Sequence, residues 1–221
     1  MMPAMSTYMT KKSWVVSFLA VVSLAGSSAV AHADEVDDGK GFVELVLGQM
    51  SPLGDDTWDN ANGTAGKFGV HGGVWAKRGA GFELGLDYTP LDNVDQSSAL
   101  GSYHSDLGRV RLLIGGRGGT HVAKHVRLFA RVALGADYIR GSVRISTPIG
   151  NFDGDDSDVG LGAEIGGGVL LNVFGAFAVG AQIAVPMAFH FTEQDFQKKQ
   201  YLDAKYNSYD LDLLLTLGTS F

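Results

Sequence analysis

YNSYDLDLLLTLGTSF, residues Tyr206 to Phe221, alternates with a period of two. Tyr209, Leu211, Leu213, Leu215, Leu217, Thr219 and Phe221 fall on one side, and Asp210, Asp212, Leu214, Thr216, Gly218 and Ser220 on the other. Alternation at 180° per residue is the signature of a β-strand, whose side chains point to opposite faces in turn. An ordinary strand runs about 5–6 residues. This one is roughly twice as long, near the ~9–11 residues that a tilted strand needs to cross a bilayer. One face is apolar and carries an aromatic ring at each end; the other is mostly small, polar or acidic.

The opposite end of the chain reads as an export signal. Lys11 and Lys12 form a basic region, Trp14 to Leu24 an apolar core, and Ala31-His32-Ala33 a small-x-small cleavage site, with Ala31 and Ala33 at the signal positions. Cleavage after Ala33 removes two lysines and no acid, taking the net charge from −7 to −9. An acidic mature chain argues against nucleic acid as a partner. There is no cysteine, so disulfides, thiolate nucleophiles and cysteine-bound metals are excluded. Charged residues are 19% and glycine is 31 of 221 residues, about twice its usual share. Mean hydropathy is only +0.09, and beyond the N-terminus no apolar run is long enough for a membrane helix.

Between these ends the period-two pattern recurs. After an acidic leader at 34–40, strands are expected near Gly41–Met50, Lys67–Ala76, Gly81–Thr89, His104–Gly115, Val126 onward with a pattern that persists toward Ile145 and carries the strand beyond the membrane, Val159–Leu171, Phe177–Phe191 and the terminal stretch. Long loops are expected at Ser51–Gly66, Pro90–Tyr103, Thr147–Asp158 and Thr192–Lys205. Shorter turns fall at Lys77–Gly79, Gly116–Lys124 and Asn172–Ala176. Eight strands with connections alternating long and short predict an all-β, eight-stranded antiparallel up-and-down transmembrane β-barrel. With the short turns on one side, Phe82, Phe177 and Phe221 form one aromatic girdle and Phe68, Tyr88, Tyr138, Phe189 and Tyr209 the other.

These features together resemble the small eight-stranded bacterial outer-membrane barrels, the OmpA-type transmembrane domain and the opacity-type proteins. The resemblance covers nearly all of the mature chain. It implies a cleaved signal peptide at 1–33, a short periplasmic leader at 34–40, a barrel at 41–221 and a place in the bacterial outer membrane. It also implies that Tyr209, Leu211, Leu213, Leu215, Leu217 and Phe221 act as an assembly signal read by the barrel-assembly machinery. The surrounding partners would be outer-membrane lipid and lipopolysaccharide. The chain departs from OmpA-type proteins in having no peptidoglycan-binding segment after Phe221.

The lumen of an eight-stranded barrel is just wide enough for side chains to fill. The polar faces direct Glu44, His71, Glu83, Asp87, Arg109, Arg111, Arg127, Arg131, Asp137, Glu164, Gln182, Asp210 and Asp212 into it. Buried charges must pair, and arginine suits carboxylates through its two-pronged donor geometry. A salt-bridged plug is expected, with a narrow polar channel as the alternative. Gly160, Gly162, Gly166 and Gly168 line one wall and offer either room for arginine side chains or points of bending.

Other chemistry is weakly supported. His104-Ser105-Asp106 has the residue types of a hydrolase, but neighbours on a strand face opposite ways. His121 and His125 would share a metal only on a helix. Asp153, Asp155, Ser157 and Glu164 mimic a calcium loop that has Asp158 where glycine is required. No catalytic residue, cofactor or metal site is expected. The expected function is that of a non-enzymatic outer-membrane barrel, structural or narrowly porin-like. Surface binding through four outer loops to an unidentified partner is the alternative, and lipid modification a minor one.

Overall fold

The computed structural model describes residues 39–53, 64–76, 79–98, 101–190 and 208–220. The signal peptide with Ala31 and Ala33, the acidic leader up to residue 38, most of the first and fourth long loops, and Phe221 lie outside the described residues. Eight strands follow one another among the described residues: β1 (Gly41–Pro52), β2 (Ala65–Trp75), β3 (Ala80–Ser98), β4 (Gly101–Ala123), β5 (Val126–Thr147), β6 (Gly150–Phe174), β7 (Phe177–His190) and β8 (Ser208–Ser220). Each pairs antiparallel with its sequence neighbour. β1 pairs with β8 from Phe42↔Ser220 to Pro52↔Asp210, closing the sheet into a barrel. Closure leaves no open edge around this cylinder, and every strand finds partners for its backbone on both sides.

The barrel is inside out relative to a soluble protein. Leu215 is 63% exposed and Leu134 59%, while Arg131 is 1% and Asp137 0% exposed. Hydrocarbon outside and charge inside is the arrangement a bilayer stabilises. On β5 the outward positions Val126, Leu128, Ala130, Val132, Leu134, Ala136 and Tyr138 form a continuous apolar row. At ~3.4 Å per residue and a tilt near ~40°, that row spans about 30 Å, the thickness of bilayer hydrocarbon. Its upper end is a rung of outward residues, Phe68↔Tyr88↔Val110↔Tyr138↔Val159, and Phe189 meets Tyr209 edge-on with ring centres 6.1 Å apart.

Two of the expected loops are strands. Pro90–Ser98 and Gly101–Tyr103 form the upper part of the β3–β4 hairpin, and Thr147–Asp158 the top of the β5–β6 hairpin. The segment from Gly116, expected as a turn, continues β4 to Ala123. The two hairpins join into a four-stranded sheet that rises above the girdle. Its outer face carries rungs such as Asp95↔His104↔Arg144↔Asp153, and its inner face Tyr103↔Ile145↔Phe152. Above the girdle the outer face turns polar, while the inner rung stays open to water, with Tyr103 and Phe152 both exposed. A bulge between Pro90 and Asp92 shifts the register of β3 where a proline has no N–H to give the ladder.

This extension also disposes of the calcium-loop reading. Asp153, Asp155 and Ser157 stand on β6, and Glu164 is buried in the lumen. His104 and Ser105 lie on opposite faces of β4, and the imidazole of His104 bonds Asp95 across the hairpin at 2.5 Å.

Candidate functional site

The largest fully buried side chains of the described residues are Arg109, Arg111, Arg131 and Lys67. The core of this barrel is thus made of charge. Glu44, His71, Glu83, Asp87, Arg109, Arg111, Arg131, Asp137, Glu164, Asp210 and Asp212 all lie inside it, as does Gln182. Arg127 lies at the short-turn end, half-buried, with its guanidinium 4.4 Å from the Trp75 ring centre. Three further groups belong to the interior, Lys67, Arg117 and His190.

The middle of the lumen is organised around Lys67. Its ammonium lies 2.5 Å from Asp212, 3.1 Å from Asp87 and 3.2 Å from Glu164. Arg111 stands across the same three carboxylates at 3.3–3.5 Å. Arg131 uses its whole fork: Nε to Glu83 at 2.9 Å, Nη2 to Glu164 at 3.1 Å and Nη1 to Nδ1 of His71 at 2.7 Å. Because an arginine can only donate, Nδ1 of His71 accepts, and its Nε2–H donates to Asp87 at 2.9 Å. These partners assign His71 as a neutral relay between a cation and an anion.

The short-turn end has a floor. Arg117 grips both oxygens of Glu44, at 2.6 and 2.8 Å, and Glu83 at 2.8 Å. Its guanidinium is sandwiched between the rings of Phe42 and Phe129, 4.7 and 4.6 Å from their centres. Phe42 leans on Trp75 at 5.5 Å. A desolvated cation between two rings adds quadrupole attraction to its ion pairs. Glu83 touches both Arg131 and Arg117, so floor and middle form one network.

The outer end carries a separate belt. Arg109 bonds Asp210 at 2.9 Å, lies 3.3 Å from Asp137 and bonds the Ser208 hydroxyl. His190 stands between Asp137 at 3.4 Å and Asp158 at 3.1 Å.

Small residues make room for these side chains. A methyl group at Gly218 would lie 2.7 Å from Glu44 Cγ, and one at Gly69 2.2 Å from Asp87 Oδ1. At Gly160, Gly166 and Gly168 alike a methyl would meet a backbone oxygen of β7, at 2.5, 2.9 and 2.3 Å, and at Gly160 also the His190 ring at 2.9 Å. All three permit close approach of strands, and Gly160 in addition clears space for a side chain.

Among the described residues no group of three or more histidine or acidic side chains is arranged to hold a metal ion.

No protein-family model matches the sequence, and no curated protein matches it. Solved structures match through the fold. The crystal structure of Ail, the attachment invasion locus protein of Yersinia pestis, is 15% identical, with 83% of this chain and 99% of that chain covered and a TM-score of 0.52. Neisserial surface protein A is 10% identical over 82% of this chain and 96% of its own, with a TM-score of 0.53. A major outer membrane protein from Thermus thermophilus is 14% identical over 83% and 99%, with a TM-score of 0.56. The fold is that of the small outer-membrane β-barrels.

Proposed function

We propose that this chain is an integral outer-membrane protein of the structural kind, whose lumen is shut by its own charges. The observation that carries this reading is the continuous bonding from the Arg117 floor through Arg131 and Lys67, crossing the barrel between strands on opposite sides. The apolar outer band and the long period-two strands support a place in a bilayer, and the resemblance of the fold supports the outer membrane in particular. Buried ion pairs stabilise weakly when whole but strongly resist the removal of one partner, so the plug holds its form without being a reservoir of stability. Refolded mature protein in planar bilayers is expected to give no discrete current steps at neutral pH. Reproducible steps in the wild-type protein would overturn the closed-lumen reading in favour of a narrow pore.

A second reading concerns the sheet above the girdle. A purely structural barrel needs no strands beyond the hydrocarbon, yet β3 to β6 rise well past it. The similar Yersinia pestis protein carries attachment in its name. Surface binding by this projecting sheet is testable by shortening both hairpins, joining Pro90 to Gly108 and Arg140 to Ser157 with tight turns. Loss of adhesion to host cells or matrix with an unchanged urea midpoint is the expected result. Full adhesion by the shortened barrel would sink it.

A further inference from the structure

We propose that the β7–β8 wall of the lumen binds a short file of water molecules, held by Gln182 between Asp212 and Thr216. This deepens the closed-lumen reading and rests on it: the plug is shut to ions yet hydrated along one side. Three rungs of inward residues cross β6, β7 and β8 at this level. They are Gly166–Ala184–Asp212, Gly168–Gln182–Leu214 and Leu170–Gly180–Thr216. Four of these positions, Gly166, Gly168, Gly180 and Ala184, carry nothing longer than a methyl group. Gln182 stands at the centre of this patch of small residues, with Asp212 and Thr216 diagonal to it on β8.

Gln182 is 2% exposed, and Thr216 and Asp212 are fully buried. Both polar atoms of the Gln182 amide, the Thr216 hydroxyl and Oδ1 of Asp212 find no hydrogen-bond partner among the described residues. The other oxygen of Asp212 holds Lys67, so the ion-pair network does not account for these atoms. An amide or hydroxyl taken from water into apolar surroundings is costly unless it is bonded. The wall accepts hydrocarbon, since Leu170 and Leu214 fill neighbouring positions and Val46 follows Thr216 on β1. Polar groups at Gln182 and Thr216 therefore point to something that bonds them.

The bonding pattern selects the ligand. Gln182 offers donors and an acceptor, Thr216 one donor and an acceptor, and Asp212 acceptors alone. A metal cation has no use for the donors, and an anion would meet the Asp212 carboxylate. Water both donates and accepts, and buried water makes about three hydrogen bonds to polar groups of this kind. Diagonal neighbours on paired strands stand ~7–8 Å apart at the backbone. A water bonded at ~2.8 Å on each side spans about 5–6 Å between side-chain atoms. One water thus fits between Gln182 and Asp212, and another between Gln182 and Thr216.

The test is NMR cross-relaxation between water and the Gln182 side-chain amide, on refolded protein in lipid nanodiscs with water itself as the probe. The sign of the signal separates a resident water from proton exchange. Wild-type protein should show a resident water at that amide. Thr216→Val keeps the shape of the side chain and removes its hydroxyl, and the contact should then fall about twofold, since one of the two waters loses a partner. Urea titration of Gln182→Leu, Thr216→Val and the double variant gives an independent readout. The two side chains share no hydrogen bond, and the water between them should couple the losses, leaving the double variant more stable than simple addition predicts. No resident water at Gln182 in the wild-type protein, an unchanged contact in Thr216→Val, or additive losses would each overturn the water file. Should Gln182→Leu fail to fold, the wild-type and Thr216→Val spectra decide alone. Conductance steps in wild-type protein would instead strike at the closed-lumen reading, and the amide measurement would still decide the water file.

Discussion

Lys67→Met is expected to lower the unfolding free energy by about 3–5 kcal/mol, the cost of removing one partner from a buried ion pair. Methionine reproduces the lysine stem as far as Cε and lacks only the ammonium, so the loss is chiefly one of charge. Lys67 is fully buried and holds Asp212 at 2.5 Å, while the next cation, Arg111, stands 3.5 Å from that carboxylate. Asp87 and Glu164 keep closer help, from His71 and from Arg131 respectively. The damage should therefore concentrate at Asp212, and a second substitution can find it. Lys67→Met with Asp212→Leu removes the whole pair, and replacing both partners of a buried bridge by apolar groups is often nearly neutral. Urea titration of the four proteins in the cycle should show the double variant more stable than the lysine variant alone. Simple additivity would mean that Lys67 is not the hub of the network.

Most of the barrel was legible because a lipid-facing strand writes its environment in every second residue. Phe82, Leu84, Leu86 and Tyr88 on β3, or Leu213, Leu215 and Leu217 on β8, have only one face that hydrocarbon accepts. Of the upper hairpins only β5 was legible, its alternation running on toward Ile145, and the rest was not, for the same reason turned around. Beyond Tyr138 the outward residues are Arg140, Ser142 and Arg144, and the inward ones Val143 and Ile145, so the pattern changes phase where the solvent changes. Aspartate, glycine and serine at 150–158 then look like a loop, although cross-strand pairing to β5 holds them as a strand.

The interior shows a similar division. Parity alone places Arg109 and Arg111 in the lumen, and extended by three more steps it also places Arg117 there. Lys67 shares the parity of His71, and His190 that of Gln182. All three escape a reading by pattern because each sits near the point where the alternation starts or fades. Arg127 has the right parity and stands one residue into β5, where the barrel mouth lets it lie across Trp75. Which acid meets which base could not be read at all, since Lys67 and Asp212 are brought together only by closure of β1 on β8.

Arg117→Leu is expected to open the short-turn end, giving cation-selective current steps where the wild-type protein is silent, with a stability loss of about 3–5 kcal/mol. Arg117 bridges Glu44 and Glu83 in the floor, and leucine can bond neither. Without the guanidinium, those two carboxylates face one another across a low-dielectric space and repel. Phe42 and Phe129 lose the cation that draws their rings together. Water is then the only remaining solvent for the carboxylates, and its entry converts the floor into an acidic constriction that favours cations. Arg127→Leu is the matched control at the same end of the barrel, replacing a half-buried guanidinium over Trp75 whose ring contact is worth about 0.5–1 kcal/mol. It should leave the bilayer silent. A folded Arg117→Leu barrel that carries no current would show that the floor is sealed by aromatic packing alone, and that the arginine serves stability rather than closure.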